Sequence, residues 1–252
     1  MQPISLYGYP TSPYVMKVAC FLKYKKLPFN YVPVNPVSPV VIKFTKQRQV
    51  PVLSIGDEWR KDSTPLGIWL NDIFPDMNIL GDSELSRQKI LAIDSWISDS
   101  LITARFRHAI EWENPWNAMR NGWTLAKAVS NATPIPIWIR WLWPLFIRKA
   151  KFIVAMMDQV KLQEPMPVMR QRLCDEFVTH LGNGPFLGEE NQVSLADLSA
   201  YPVVVSGHLM GMHGDSPMLS NPKIIAWCRR VQECLPDNPL LVPDSLIVRS
   251  HL

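Results

Sequence analysis

The sequence predicts an α/β domain over residues 1–80 followed by an all-α domain over residues 81–252. Short β-type runs alternate with helical patterns only in the first part, whereas helical periodicity dominates from about Ser83 onward. A chain of 252 residues is long for one minimal core and short for three domains. Its 47% apolar and 19% charged composition is typical of packed globular proteins. We therefore expect two modest domains.

The chain opens with a predicted strand and helix. Ile4 to Tyr7 is a β-type run, and Gly8 to Thr11 has the composition of a turn. Ser12 is a good N-cap and Pro13 suits the first helical position. Apolar residues then recur at helical spacing up to a lysine-rich end near Lys26. A helix is therefore predicted to begin at Ser12-Pro13.

A second strand and a hairpin follow. Residues Phe29 to Val34 are predicted to pair in parallel with the first strand, because a helix connects the two. Residues Ser38 to Lys46 are predicted to form a short, irregular helix. The runs Val50 to Ile55 and Glu58 to Lys61 flank Gly56-Asp57, which is typical of a type II′ hairpin. The sheet is therefore predicted to be mixed.

Two prolines mark the end of this domain. Pro51 lies inside a strand-like run, so it requires an edge position or a cis bond at the strand start. Thr64-Pro65 repeats the cap-and-proline signature and predicts a helix that ends before Pro75. The predicted element order is β-α-β-α-β-β-α.

The remaining residues favour helices. The candidates are Ser86–Trp112, Ile137–Gln163, Pro167–Leu181, Ser194–Met212 and Asn221–Cys234. Ser194 and Asp197 have the spacing of a capping box. Residues Glu113 to Pro136 are predicted to be an enlarged connection. The tryptophan-rich run from Ile135 to Met157 carries too many basic residues to span a bilayer. We expect this run to be a core or pocket-lining helix rather than one lying on a membrane surface.

Several motifs occur in the order and spacing of the cytosolic glutathione transferases. They are the first strand, Ser12-Pro13-Tyr14, Gln49-Val50-Pro51-Val52-Leu53, Asp62-Ser63, and Gly184-Pro-Phe-Leu-Gly188 followed by Val193-Ser194-Leu-Ala-Asp197. The pattern Ser12-Pro-Tyr-x-x-Lys17-Val18 resembles the serine-type classes, such as the plant tau class. The resemblance implies a thioredoxin-like first domain, an all-helical second domain, a homodimer and glutathione as the co-substrate.

Ser12 is the candidate catalytic residue. The thiol of glutathione, like free cysteine with a pKa near 8.5, must become a thiolate before it attacks an electrophile. A hydroxyl from Ser12 and the positive end of the helix dipole would favour the charged sulfur. Tyr7 and Tyr9 are the rival donors. The alternative is that Ser12 is only an N-cap.

The resemblance also implies how the tripeptide is held. The cysteinyl part would pair with Val50, just before a cis Pro51. The γ-glutamyl end would dock at Asp62 and Ser63, where a helix start suits a carboxylate. The family usually has Glu or Gln at the position of Asp62. Gln49 is the candidate for the glycyl end. Ordinary turn and capping roles are the alternatives at these positions.

The electrophile pocket would lie between the two domains. Arg105, His108 and Trp112 are the candidates for it, at helical spacing, although such a stripe is more often interdomain packing. The predicted function is a transferase that conjugates glutathione to an apolar electrophile or uses it as a reductant. A non-catalytic module that binds a protein or a membrane is the main alternative. A thiol-disulfide oxidoreductase is less favoured, because Ser12 stands where a nucleophilic cysteine is needed and Cys20 lies two turns further on.

The charge distribution and the cysteine content further limit the possible ligands and functional classes of the protein. Residues 1–80 carry nine Lys or Arg against five Asp or Glu, which accounts for the whole net charge of +4. These basic residues are scattered, so a small anionic ligand is favoured over nucleic acid. The four cysteines have no CxxC or metal-ligand spacing, and phosphate-loop and metal motifs are lacking. The sequence has no secretory signal, so a cytoplasmic location is expected, with no metal, no nucleotide and no membrane contact.

Overall fold

This computed structural model describes residues 2–150, 164–214, 216–249 and 252. A mixed sheet of four strands forms the centre of the first domain, and its spatial order is second, first, third and fourth strand. The strands are β1 (Ile4–Gly8), β2 (Asn30–Pro33), β3 (Val52–Ile55) and β4 (Glu58–Lys61). β1 pairs in parallel with β2 and antiparallel with β3, and β3 pairs antiparallel with β4. The predicted pairings are confirmed.

The helices of this domain also follow the prediction closely. They are α1 (Pro13–Tyr24), a short 3-10 helix (Val40–Thr45) and α2 (Ser63–Ile73). The bond between Val50 and Pro51 is cis, and β3 begins after it, at Val52. Gly56 has φ +59° while Asp57 has no positive φ, as a type II′ turn requires. The cis bond and the hairpin are therefore confirmed.

The start of α2 differs from the prediction. The helix begins at Ser63 with Asp62 as its N-cap residue, rather than at Thr64. The hydroxyl of Thr64 instead donates to Asp94 Oδ2 at 2.5 Å. The side chain predicted to cap this helix therefore makes a contact with the second domain.

The second domain is helical throughout its described residues. Its helices are α3 (Glu84–Trp96), a π segment (Ile97–Ile102), α4 (Thr103–Ile110), α5 (Pro115–Ala132), α6 (Ile137–Arg148), α7 (Met166–Leu181), α8 (Leu195–Leu209) and α9 (Pro222–Glu233). This confirms the predicted two-part architecture. The domain boundary at residue 80 remains a prediction.

The region around α5 corrects two expectations. Residues 113–136, predicted to be a connection, contain α5, because Pro115 is at the first helical position and Asn114 caps the helix by accepting from Asn117 N. The predicted helix ending at Trp112 ends at Ile110 instead. Trp112 therefore lies beyond the helix on which its spacing was based.

α6 was expected to be a buried core or pocket-lining helix, and the expected burial was wrong. Among its residues only Pro144 is buried, while large apolar side chains such as Trp138 and Trp141 are exposed. The helix was predicted to continue to residue 163, but residues 151–163 lie outside the described part of the chain. Among the described helices, none is both long and apolar enough to cross a membrane.

The capping box at the start of α8 is confirmed. Ser194 and Asp197 bond reciprocally, and Asp197 Oδ2 accepts from Ser194 N at 2.9 Å. The other carboxylate oxygen of Asp197 accepts from Leu187 N at 2.9 Å and from Trp227 Nε1 at 2.7 Å. This buried carboxylate therefore ties α8 to α9, and α8 in turn packs against α1.

A fully buried ion pair joins the two domains. Lys17 of α1 lies 2.7 Å from Asp94 of α3, and neither side chain is exposed to solvent. Lys17 Nζ also donates to Thr64 Oγ1 at 2.9 Å, and Asp94 Oδ1 accepts from the hydroxyl of Ser199 at 2.6 Å. Burial lowers the pKa of Lys17, and Asp94 opposes this effect. One interaction thus fixes α1, α2, α3 and α8 relative to each other.

We predict that Lys17→Met lowers the free energy of unfolding by about 3–5 kcal/mol, because it leaves a buried carboxylate without its cation. The double variant Lys17→Met with Asp94→Asn should recover at least half of this loss, since the amide carries no charge, its oxygen can accept from Ser199, and its NH2 group can donate to the hydroxyl of Thr64. Urea unfolding of purified variants measures both changes. Lys89→Met, at an exposed pair with Glu189, is the matched control and should change stability by at most about 1 kcal/mol. Equal losses in the single and double variants would contradict the account.

Candidate functional site

The register of the sheet brings the predicted site residues to one edge. Val52 pairs with Tyr7 of β1 and with Lys61 of β4. If the same register is continued two residues further, Val50 lies level with Tyr9 on one side and Ser63 on the other. α1 begins at Pro13, four residues after Tyr9, so its N-terminus lies at the same edge.

Ser12 is at the N-cap position of α1, as predicted, but its hydroxyl does not cap the helix. The backbone N–H groups of Val15 and Met16 bond to the carbonyl of Ser12 instead. Within the described residues, neither the hydroxyl of Ser12 nor the N–H of Tyr14 has a hydrogen-bond partner. Both donors are therefore available at the positive end of the helix dipole.

Val50 is a half-buried residue that lies outside the sheet ladder. In the parts of the chain that the structure describes, its N–H and its C=O have no hydrogen-bond partner. A donor and an acceptor on one residue can hold an extended peptide as an added strand would. The backbone beside the cis Pro51 is thus free for such pairing.

The N-terminus of α2 forms the third part of this edge. Its first residue, Ser63, is only 3% exposed. Leu66 N bonds to the carbonyl of Asp62, whereas the N–H groups of Ser63 and Thr64 have no partner among the described residues. Nor does the hydroxyl of Ser63 have one there. Unpaired donors at the start of an 11-residue helix suit a carboxylate.

Asp62 has a backbone conformation that is rare for residues with a side chain. Its φ is +75° and its ψ is 125°. Such a conformation costs about 1–3 kcal/mol and tends to occur at functional sites. The exposed carboxylate of Asp62 lies beside Ser63 and is close enough to Lys17 and Tyr14 to affect their pKa values.

Gln49 and the basic residues near it are exposed. The side chain of Gln47 bonds to both the N–H and the carbonyl of Gln49, so the local turn is closed by Gln47. Arg48 is exposed and close enough to Tyr9 to favour its ionised form. A role for Gln49 in binding a glycyl carboxylate stays a prediction.

The two rival tyrosines differ in their surroundings. Tyr7 makes an edge contact with Phe44, with 5.5 Å between the ring centroids. Burial raises the pKa of Tyr9, so its phenol stays protonated and remains a hydrogen-bond donor. The carbonyl of Tyr9 accepts from Ser12 N at 3.1 Å, which places the backbone of Tyr9 directly beside the start of α1.

The second domain reaches this edge through the π segment, a type of helix often found at functional sites. Ser98 Oγ lies 3.5 Å from Lys17 Nζ. Burial raises the pKa of Tyr14 to about 12, and the carboxylates of Asp99 and Asp62 add to this effect. Asp99 and Tyr14 are therefore neighbours across the domain boundary.

The three candidates for the electrophile pocket have different surroundings. Arg105 donates to the carbonyl of Val203 at 2.7 Å, and burial lowers its pKa to about 10. His108 is exposed on the last turn of α4; its surroundings partly desolvate the ring and, with nearby arginines, lower its pKa to about 4. Trp112 lies under the guanidinium of Arg148 at 4.9 Å. Whether any of them contacts a substrate stays a prediction.

Sequence reasoning missed a role for Lys17, Thr64, Asp94 and Ser199. One signal was available, because Lys17 stands between Met16 and Val18 in a helix whose other residues are mostly apolar. A lysine there requires a buried partner. Its partner is 77 residues further along the chain, so local patterns could not identify it.

The comparisons with known proteins agree with this geometry. Residues 6–78 match the family model described as glutathione S-transferase, N-terminal domain. Mouse prostaglandin E synthase 2 is 23% identical over 278 residues, which cover 94% of this chain and 71% of that protein. Residues 6–78 are therefore similar to the N-terminal domain of the glutathione S-transferases.

Solved structures extend the likeness to the second domain. Glutathione transferase Omega 3C from Trametes versicolor superimposes with a TM-score of 0.60 at 15% identity, over 99% of this chain and 85% of that one. Human glutathione transferase theta-2, solved in complex with glutathione, gives 0.56 at 20% identity, over 92% and 82%. The chain thus has the glutathione transferase fold, which confirms the resemblance drawn from the sequence.

We predict that Asp62→Gly raises the free energy of unfolding by about 1 kcal/mol, because glycine adopts a positive φ without strain. Asp62→Ala keeps the strained backbone and should not stabilise the protein. Thermal or urea unfolding of both variants measures the difference. A loss of stability in Asp62→Gly, relative to Asp62→Ala, would show that the backbone at this position is not strained.

Proposed function

We propose that the protein is a glutathione transferase that binds glutathione at this sheet edge, stabilises its thiolate and transfers it to an apolar electrophile. The observation that carries the proposal is the set of unpaired polar groups at the edge. They are the hydroxyl of Ser12, the backbone of Val50, and the hydroxyl and N–H of Ser63. Their order along the edge fits a tripeptide with a central thiol and a carboxylate at one end.

The chemistry follows from the groups around Ser12. The thiol loses its proton to solvent, and the hydroxyl of Ser12 and the N–H of Tyr14 would donate to the sulfur anion. The sulfur then forms a bond to the electrophilic carbon while the leaving group departs with its electron pair. A thiolate generated in this way could equally act as a reductant.

The other contacts of glutathione are part of the same proposal. The γ-glutamyl carboxylate would bind at the α2 N-terminus through Ser63, and Asp62 would accept from the ammonium group. Val50 would pair with the cysteinyl backbone, and Gln49 would contact the glycyl end.

Prostaglandin E is a fatty-acid derivative, so the name of the mouse relative favours an apolar electrophile.

The proposal also covers the assembly, the location and the electrophile side of the site. The likeness to the family implies a homodimer and a cytoplasmic location. Arg105, His108 and Trp112 are proposed for the electrophile side on the same basis. The thiol-disulfide alternative is disfavoured, because burial raises the pKa of Cys20 to about 12 and makes it a poor nucleophile.

Ser12→Ala tests the proposed catalytic residue. Loss of one hydrogen bond to an anion should raise the pKa of the bound thiol by about one to two pH units and lower kcat/KM roughly 10- to 100-fold. Ultraviolet absorbance of the bound thiolate during a pH titration and steady-state rates with chlorodinitrobenzene measure the two effects. Glutathione affinity should change much less, since Val50 and Ser63 remain.

Tyr9→Phe and Tyr7→Phe are the matched controls, each removing one hydroxyl at the same edge. They should leave the pKa of the bound thiol unchanged. If Tyr9→Phe raises it and Ser12→Ala does not, the phenol is the donor and the role proposed for Ser12 is wrong. If the wild type binds no glutathione, the whole proposal fails and a non-catalytic role is favoured.

A further inference from the structure

The α5–α6 hairpin, residues 115–148, carries a large apolar surface. It is remote in sequence from the sheet edge proposed to bind glutathione. Four residues of α6 follow one another at helical spacing and are exposed: Trp138 (57%), Trp141 (65%), Leu142 (43%) and Leu145 (45%). Ile137, Phe146 and Trp116 extend this surface, which we call the tryptophan face. Isolated exposed apolar residues are common, but a continuous face with three tryptophans indicates a contact surface.

The tryptophan face is held outward by the packing of α6 on α5. The turn of α6 at Pro144 lies directly against Gly122, where an added Cβ would come within 2.6 Å of the proline ring. Trp123 Nε1 donates to the carbonyl of Trp141 at 3.0 Å. The inner side of α6 is therefore fixed against α5, and the ring of Trp141 lies 6.0 Å from that of Trp123 while 65% of Trp141 stays exposed.

The charged side chains of the hairpin itself are all of one sign. Residues 115–150 contain five basic residues and no Asp or Glu, namely Arg120, Lys127, Arg140, Arg148 and Lys149. A cleft of about 390 Å³ lies where α5 meets α6, next to the exposed Ile137. It is lined by Lys127 and Arg140 together with the polar side chains of Ser130 and Asn131. Cations and polar donors in a cleft beside an apolar face suit an anionic headgroup.

We propose that the tryptophan face docks onto a membrane surface that contains anionic lipids. Tryptophan prefers the interface between headgroups and acyl chains, and Lys or Arg is attracted to anionic lipids. α6 has 12 residues, about 18 Å, so it lies in the interface and does not cross the bilayer. This reverses the sequence-based expectation of no membrane contact.

A second copy of the chain is a poorer occupant for this face. A symmetric contact places the same surface on both partners, so the basic residues of the hairpin would face each other without any carboxylate from that segment. An anionic membrane supplies the missing negative charge. The inference does not rest on the proposed enzymatic function.

Flotation of the full chain with lipid vesicles tests the proposal. Binding is expected to vesicles of phosphatidylcholine mixed with phosphatidylglycerol, and little to phosphatidylcholine alone. Added salt should weaken it, because exposed charges are screened. Lys127→Gln should lower the partition constant roughly five-fold. Leu142→Ala combined with Leu145→Ala should lower it further by removing buried apolar area.

Matched controls use residues outside the hairpin. Lys223→Gln and Leu85→Ala remove an exposed lysine and an exposed leucine elsewhere, and neither should change vesicle binding. Thermal unfolding followed by circular dichroism serves as the check that every variant is folded. The proposal is overturned if the wild type binds neither vesicle or binds both equally. It is also overturned if the leucine variants abolish self-association while vesicle binding is absent, because the face would then join two copies.

Discussion

The buried contact between Lys17 and Asp94 is the constraint on which the rest of this structure depends. A lysine in the apolar face of α1 is tolerable only if a carboxylate reaches it, and that carboxylate comes from the second domain. Thr64 and Ser199 complete the hydrogen bonds of the pair, so the beginning of α2 and the body of α8 are fixed by the same contact. The relative position of the two domains, and of the two helix starts, follows from it.

The sheet edge next to this contact has unpaired donors. Ser12 does not cap α1, and Thr64, which could have capped α2, is bonded to Asp94 instead. The hydroxyls of Ser12 and Ser63 have no hydrogen-bond partners within the described residues. Asp62, which connects β4 to α2, has a positive φ. The fold therefore has unpaired polar groups and a strained backbone at the same sheet edge. A ligand bound there can form hydrogen bonds with the unpaired groups. The tryptophan face is a second surface without a partner in this structure, and its exposed groups are apolar rather than polar.

Local signals in the sequence predicted most of the first domain. The N-cap at Ser12, the hairpin at Gly56 and the cis bond at Pro51 depend on the chemistry of single residues, so they could be recognised without the fold. The second domain was harder. Residues 113–136 were expected to be a connection, although Pro115 starts a helix there. α6 was expected to be buried, because apolar composition does not say which surface is covered. The partner of Lys17 could not be predicted, since it is remote in sequence.

The most direct test of the account is a crystal structure of the protein soaked or co-crystallised with glutathione. We predict that the thiol sulfur lies within about 3.5 Å of Ser12 Oγ, that the cysteinyl backbone pairs with Val50, and that the γ-glutamyl carboxylate contacts Ser63. The buried pair of Lys17 and Asp94 should be unchanged in the complex. Glutathione bound away from the edge formed by α1, β3 and α2, or with its sulfur turned away from Ser12, would contradict the account.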